Sequence, residues 1–169
     1  NFDLETTRSK EIIEFIKGSN FSNLTLSETN KLIEIPICYD EEFALDIKRL
    51  EEKTKLSFKE IVNEHLNTDF FVYMIGFVPG QPFLGDINKN LYHDRLDTPR
   101  VKINKGSVGI VEKFCTIYTF ESPGGWNIIG KTPLDLFNIN KKNTSMLSPG
   151  DTVKFKSITK KDLSSFKNE

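Results

Sequence analysis

The sequence predicts a mainly β chain with flanking helices, an α+β arrangement in which a closed barrel has two helices inserted early. Three observations predict it. From Leu84 to Ile158 the chain is a series of short, alternating apolar runs separated by Gly, Pro, Asn and Asp turns. Between Glu41 and Leu66 two segments instead place apolar residues at helical spacing. An apolar run from Val72 to Ile75 then enters a stretch broken by Gly76, Pro79, Gly80, Pro82 and Gly85, as a buried strand feeding a shaped loop would.

In order, Thr6 to Lys17 reads as a helix capped by Thr6 or Thr7, with Ile12, Ile13 and Ile16 as one stripe. Gly18-Ser19-Asn20 ends it, and the Ser/Thr/Asn-rich stretch from Phe21 to Lys31 reads as a linker. This helix has no strands of its own nearby and looks like the last piece of something larger. Leu32 to Tyr39 is a strand whose Pro36 places it at an edge or at the start of a sheet. Asp40 is placed to cap a helix from Glu41 to Lys53, with Phe43, Ile47 and Leu50 on one face. Ser57-Phe58-Lys59-Glu60 has capping-box form and opens a second helix that runs to about Leu66. Asp69 to Ile75, Val101 to Ile103, Ser107 to Glu112, Cys115 to Phe120 and Trp126 to Gly130 are strands. Thr132-Pro133 stands in N-cap then N1 order and predicts a brief helix ending near Phe137. Ser148-Pro149-Gly150-Asp151 is a turn, Thr152 to Ile158 a closing strand and Thr159 to Phe166 a terminal helix.

Composition narrows the function. A chain of 169 residues with 37 % hydrophobic positions can bury a core without cross-links. The net charge is −1 with both signs interspersed, which gives no support for nucleic-acid binding, since that needs a basic face. No run approaches the length of a membrane span and no signal peptide opens the chain, so a cytoplasmic location is expected. Cys38 and Cys115 sit in apolar strand contexts and read as buried thiols in a reducing compartment. No metal site is expected, because His65 and His93 show no ligand spacing.

Each chemically suggestive residue has two readings. Gly76, Gly80, Gly124 and Gly125 either let backbone amides close on an anion or serve turns that need positive φ. Arg95 and Arg100 carry guanidinium forks suited to carboxylate or phosphate, or to pairing with Asp94, Asp97 or Glu112. His65 is a packing residue or a base, Trp126 a core anchor or a ligand-facing wall, and Lys131 an anion contact or a solvated charge. There is no Walker-type loop and no Gly-x-Gly-x-x-Gly, so no ATP site is written in the chain. No Ser-His-Asp or Cys-His set follows from spacing, and no catalytic residue is assigned.

The ordered series Ile35-Pro36-Ile37-Cys38-Tyr39-Asp40, His65, Gly76-Phe77-Val78-Pro79-Gly80, Arg95, Pro99-Arg100, Gly106-Ser107-Val108, Ile117-Tyr118, Ser122-Pro123-Gly124-Gly125-Trp126 and Ile129-Gly130-Lys131-Thr132-Pro133 resembles a known family. It is that of the B subunit of 5-oxoprolinase, which includes the sporulation-kinase inhibitor KipI, allophanate hydrolase subunit 1 and part of the carboxyltransferase region of urea carboxylase. The resemblance runs from about Glu34 to Ile158. It implies a cyclophilin-like β-barrel over 34–169, with 1–33 as the remnant of a small N-terminal α+β domain and its linker. It implies one component of a 5-oxoprolinase. Its partners would be the C subunit, of similar architecture, and the A subunit, and together they would cleave 5-oxoproline to glutamate with ATP. A KipI-like inhibitor of a histidine kinase is the alternative, as is a protein related to allophanate hydrolase or urea carboxylase. The resemblance also makes His65, Gly76, Pro79, Gly80, Arg95, Arg100, Ser122, Gly124, Gly125, Trp126 and Lys131 candidate substrate contacts. Gln81, Asp94, Thr119 and Lys131 depart from the family pattern.

Overall fold

An open sheet leaves two unpaired edges, and this chain brings its own edges together. The computed structural model describes residues 9–19 and 31–166. Seven strands form one sheet: β1 (Leu32–Ile37), β2 (Asp69–Ile75), β3 (Pro82–Gly85), β5 (Ser107–Val111), β6 (Phe114–Ile117), β8 (Asn127–Lys131) and β9 (Thr152–Ser157). Two more, β4 (Arg100–Ile103) and β7 (Ser122–Gly124), make a separate ribbon. The sheet order is β1-β9-β2-β3-β6-β5-β8. Only β1 and β9 are parallel. The edge strands β1 and β8 meet where Cys38 and Lys131 exchange both backbone hydrogen bonds, at 2.8 and 2.9 Å. The sheet thereby curls into the expected barrel. Pro36, which has no N–H to donate, lies in the edge strand β1 as its chemistry requires.

Alternation along the strands builds two cores. Val108, Ile110, Cys115, Ile117 and Ile129 point inward and pack with Ile35, Phe70, Val72 and Val153. The opposite face of β5, β6 and β8 is also buried, through Val111, Tyr118 and Ile128. It is covered by Ile103 of β4 and by Trp126, which follows β7. The ribbon is therefore a lid on the outside of the barrel.

Four α-helices, α1 (Ser9–Gly18), α2 (Ile47–Thr54), α3 (Phe58–Leu66) and α4 (Lys160–Ser165), and one 3-10 turn at Lys89–Leu91 complete the described residues. The capping box predicted at Ser57 is present, with the Ser57 amide donating to Glu60 Oε2 at 2.8 Å. Thr159 and Asp162 form a second one on α4. The caps expected at Thr6 and Thr7, and the linker as far as residue 30, lie outside the described residues.

Two expectations are corrected. The helix placed from Glu41 begins only at Ile47, because residues 41–43 form a turn in which Phe43 N and Ala44 N donate to the Asp40 carbonyl. The Thr132-Pro133 segment forms no helix. Its amides bond outward instead, Thr132 N to Gly106 O, and the Leu136 carbonyl accepts from Met146 N, both at 2.9 Å. These cross-chain bonds hold the segment extended, and tertiary pairing overrides the local cap signal. The last strand, β9, is internal, between β1 and β2. Among the described residues no helix is long and apolar enough to cross a membrane.

Candidate functional site

Asp46 is the residue around which the outer site is built. It falls on the apolar stripe of the Phe43, Ile47, Leu50 segment and is 5 % exposed. A carboxylate in that position must be paired. It accepts from Arg100 at both oxygens, 2.9 and 2.7 Å, and from the Ile128 amide at 2.7 Å. Its own amide donates to the Ile128 carbonyl at 3.0 Å. Asp46 occupies the N-cap position of α2 yet caps nothing, because its oxygens are committed to Arg100 and β8.

Arg95 has the opposite character. It is exposed, and the described residues give it no carboxylate partner. Its guanidinium lies 6.0 Å from the centroid of the Trp126 ring, a cation–π position. The Tyr118 phenol sits near both arginines. Burial pushes it up to about 12, against the opposing pull of Arg95, the Trp126 backbone and Arg100. Tyr118 therefore stays a neutral hydroxyl across the working range. Burial, reinforced by Arg49 and Lys53 against Asp94, holds the nearby His93 imidazole below its ordinary value.

The two glycine loops approach this site from neighbouring residues of one segment. Tyr118 packs against Gly124 so closely that a methyl group there would overlap its hydroxyl. Thr119 Oγ1 donates to the Pro79 carbonyl at 2.8 Å. Phe83, just beyond the first loop, meets Trp126 edge-on at 6.1 Å. Ser122 opens β7 opposite Ile103, and Gly124 pairs with Arg100. Gly125 lies against Pro99 and Leu96, whose amide donates to the Gly125 carbonyl at 2.8 Å.

Gly80 and Gly124 serve protein packing. Gly76 N donates to Gln81 O at 2.9 Å, and Gln81 is buried. Gly80 has φ +72°, and a Cβ there would lie 2.5 Å from Phe137 Cβ. Of the two roles open to these residues, the turn role fits Gly80 and a close approach fits Gly124, whereas Gly76 and Gly125 have neither a positive φ nor a side chain that bars a Cβ. Gly80→Ala is expected to cost about 2 kcal/mol or more, from a strained φ plus overpacking. The urea midpoint is the measurement.

Two candidate residues stand apart from the arginines. Lys131 ends β8, roughly 13 Å along the strand from Asn127. Its ammonium lies 5.7 Å from the Phe43 ring centroid, in a cleft of about 500 Å³ shared with the Lys105–Asp135 ion pair. His65 is fully buried inside the barrel. Its Nδ1 shares a 2.7 Å hydrogen bond with the Tyr39 hydroxyl, its Nε2 is 3.5 Å from Cys115 Sγ, and its ring packs on Phe70 and Phe155. Burial lowers its pKa to about 3 and raises that of the Cys115 thiol. Both shifts favour neutral groups, the reverse of a thiolate–imidazolium pair, so this is a core histidine. In the unfolded chain a histidine titrates near 6.5, so between pH 6.5 and 3 the unfolded state binds a proton that the native state lacks. Stability is thus expected to fall by about 2 kcal/mol between pH 6.5 and 5 from His65 alone. Denaturant midpoints against pH check this, and His65→Gln removes that part of the slope. Among the described residues no group of three or more His, Cys, Asp and Glu could hold a metal.

With this geometry in hand, comparison places the chain. The family described as carboxyltransferase domain, subdomain C and D, matches residues 1–147. The chain belongs to that family. It is 42 % identical over 139 residues to the B subunit of 5-oxoprolinase from Bacillus subtilis, a match covering 82 % of this chain and 58 % of that protein. It therefore spans little more than half the length of that relative. A conserved uncharacterized protein from Pyrococcus horikoshii superposes with a TM-score of 0.76 at 36 % identity, over 96 % of this chain and 74 % of the other. Urea carboxylase from Kluyveromyces lactis shares the fold at a TM-score of 0.67 and 19 % identity, over 80 % of this chain and 14 % of that one. The barrel class expected from the motifs is borne out.

In this member of the carboxyltransferase family, motif reading picked out Arg95, Arg100 and Trp126 but not the residues that hold them. Asp46 had a signal, a carboxylate in phase with Phe43 and Leu50. Asn127 had a weaker one, a single amide opening an otherwise apolar strand. Arg49 had none, since a cation on an exposed helix face is ordinary.

Proposed function

We propose that this chain is the barrel part of the B subunit of a 5-oxoprolinase. In this reading it is an enzyme component that acts with partner subunits in the ATP-dependent opening of 5-oxoproline to glutamate. One observation carries the reading: 42 % identity to a protein of that name over 82 % of this chain. The site supports it chemically. 5-Oxoproline carries one carboxylate, and Arg95 is a guanidinium fork without a described acid partner. Arg100 is neutralised by Asp46, so the two arginines divide the work: Arg95 meets the substrate anion and Arg100 ties β4 to β8 through Asp46. Tyr118 adds a neutral hydroxyl beside them. Nucleotide chemistry is assigned to a different component of the complex, in keeping with the lack of a Walker-type loop in this sequence and with Phe137 and Tyr118 closing on Gly80 and Gly124. A cytoplasmic location fits this role.

The test is glutamate release from 5-oxoproline by this chain assembled with its two partner subunits and supplied with ATP. Release that depends on this chain is the expected result, and an intact complex without release rejects the reading. A second reading, KipI-like inhibition of a histidine kinase, is favoured by one feature. The outer face of β2 and the following loop expose Phe71, Tyr73, Met74 and Phe77, the last 77 % accessible with φ +71°. Unchanged kinase autophosphorylation at saturating protein removes it.

A further inference from the structure

We propose that Asn127, acting with Arg49, is the positioning residue of the Arg95 site. Its buried amide and the Arg49 fork fix the carbonyls of Asp94 and Arg95 and thereby set where the Arg95 guanidinium stands over Trp126. The inference rests on the reading of Arg95 as the carboxylate contact.

The segment from Tyr92 to Pro99 has no regular secondary structure, so its backbone groups need partners from elsewhere. It receives one at each of four successive residues. The His93 carbonyl accepts from Glu112 N at 2.7 Å. The Asp94 carbonyl accepts from Asn127 Nδ2 at 2.9 Å. The Arg95 carbonyl accepts from Arg49 Nη2 at 3.4 Å. Leu96 N donates to the Gly125 carbonyl at 2.8 Å. Asn127 links the middle two of these bonds, the first directly and the second through Arg49. It is 0 % exposed, donates a second time to the Ile110 carbonyl at 3.1 Å, and accepts from Arg49 Nη1 at Oδ1. Both amide hydrogens and the amide oxygen are thus used. The network joins α2, β5 and β8 to the one segment that carries Arg95. Nothing else in it recognises a ligand. Arg49 spends its fork on Asn127 and on a backbone carbonyl, which suits holding a loop better than meeting an anion.

The one tryptophan of the chain, Trp126, is the reporter, since Arg95 sits over its ring. Emission maximum and iodide quenching are to be measured on the purified chain for Arg95→Ala, Arg49→Gln, Arg49→Lys, Asn127→Ala and the Arg49→Gln/Arg95→Ala pair. Arg95→Ala is expected to change both signals, and Arg49→Gln to change them in the same direction. The paired variant should match Arg95→Ala alone, because two residues acting through one contact are not additive. Arg49→Lys should recover part of the wild-type signal. Asn127→Ala can fail to fold, and Arg49→Gln then decides, since Arg49 is only half-buried. Wild-type emission and quenching in Arg49→Gln, with a changed Arg95→Ala, overturn the proposal, as does an unchanged Arg95→Ala. In the assembled complex Arg49→Gln should lower kcat/KM for 5-oxoproline roughly ten- to hundredfold, mostly through KM. If the optical results hold but Arg95→Ala and Arg49→Gln both keep wild-type kinetics, the positioning stands and the substrate reading fails.

Discussion

Asp46→Ala is expected to lower the stability of the domain by about 3 kcal/mol, which for a domain of this size is a fall of roughly 6–12 °C in Tm. The change removes a carboxylate that takes three hydrogen bonds at 2.7 to 2.9 Å. It leaves the Ile128 amide without its acceptor and the Arg100 guanidinium without its counter-charge. Arg100 keeps 30 % of its side chain in water, which places the cost at the lower end for a broken buried pair. Asp46→Asn preserves an acceptor for Ile128 but turns an amide toward a guanidinium, so it should fall between wild type and Asp46→Ala. A double variant, Asp46→Ala with Arg100→Met, should recover part of the loss by removing the stranded charge. Thermal melts of the four proteins read all of this. Equal melting temperatures for wild type and Asp46→Ala would show that Asp46 does not hold β4 and β8 to the start of α2.

Arg95→Ala should leave stability within about 1 kcal/mol of wild type, because the residue is exposed and its ring contact is worth little more than that. Its effect belongs to function. A charge-assisted hydrogen bond to a carboxylate contributes about 1.5–3 kcal/mol, so kcat/KM for 5-oxoproline in the assembled complex should fall roughly ten- to hundredfold. Arg95→Lys should lie between, since an ammonium keeps the charge but loses the bidentate fork. Steady-state kinetics on the three complexes is the measurement. The contrast between the two arginines follows from burial and pairing: Arg100 is paired with Asp46, and Arg95, exposed over Trp126, is the one proposed to meet the ligand.

Much of this arrangement is legible in the sequence because the chain obeys local rules. The Ser57 capping box, the Ser148–Asp151 turn and the edge position of Pro36 each follow from residue chemistry, and each is present. Both errors concern helix starts. Asp40 and Thr132-Pro133 carry valid start signals for helices, but a local turn closed on the Asp40 carbonyl takes over at the first and cross-chain hydrogen bonds at the second. The same limit applies to the site. The family resemblance groups Lys131 with Trp126, with only four residues between them, whereas a β-strand carries them to different parts of the barrel. His65 looks available on a helix face, and only the fold shows Phe70 and Phe155 closing over it. Asn127 and Arg49 escape notice because their roles lie in backbone carbonyls of a distant segment, which no motif records.

The most direct test is a crystal structure of the assembled complex with 5-oxoproline bound. The account predicts the substrate carboxylate on the Arg95 guanidinium at about 2.7–2.9 Å, beside Trp126 and the Tyr118 hydroxyl. A carboxylate seated instead against Lys131 in the cleft by Phe43, with Arg95 in open solvent, would contradict it.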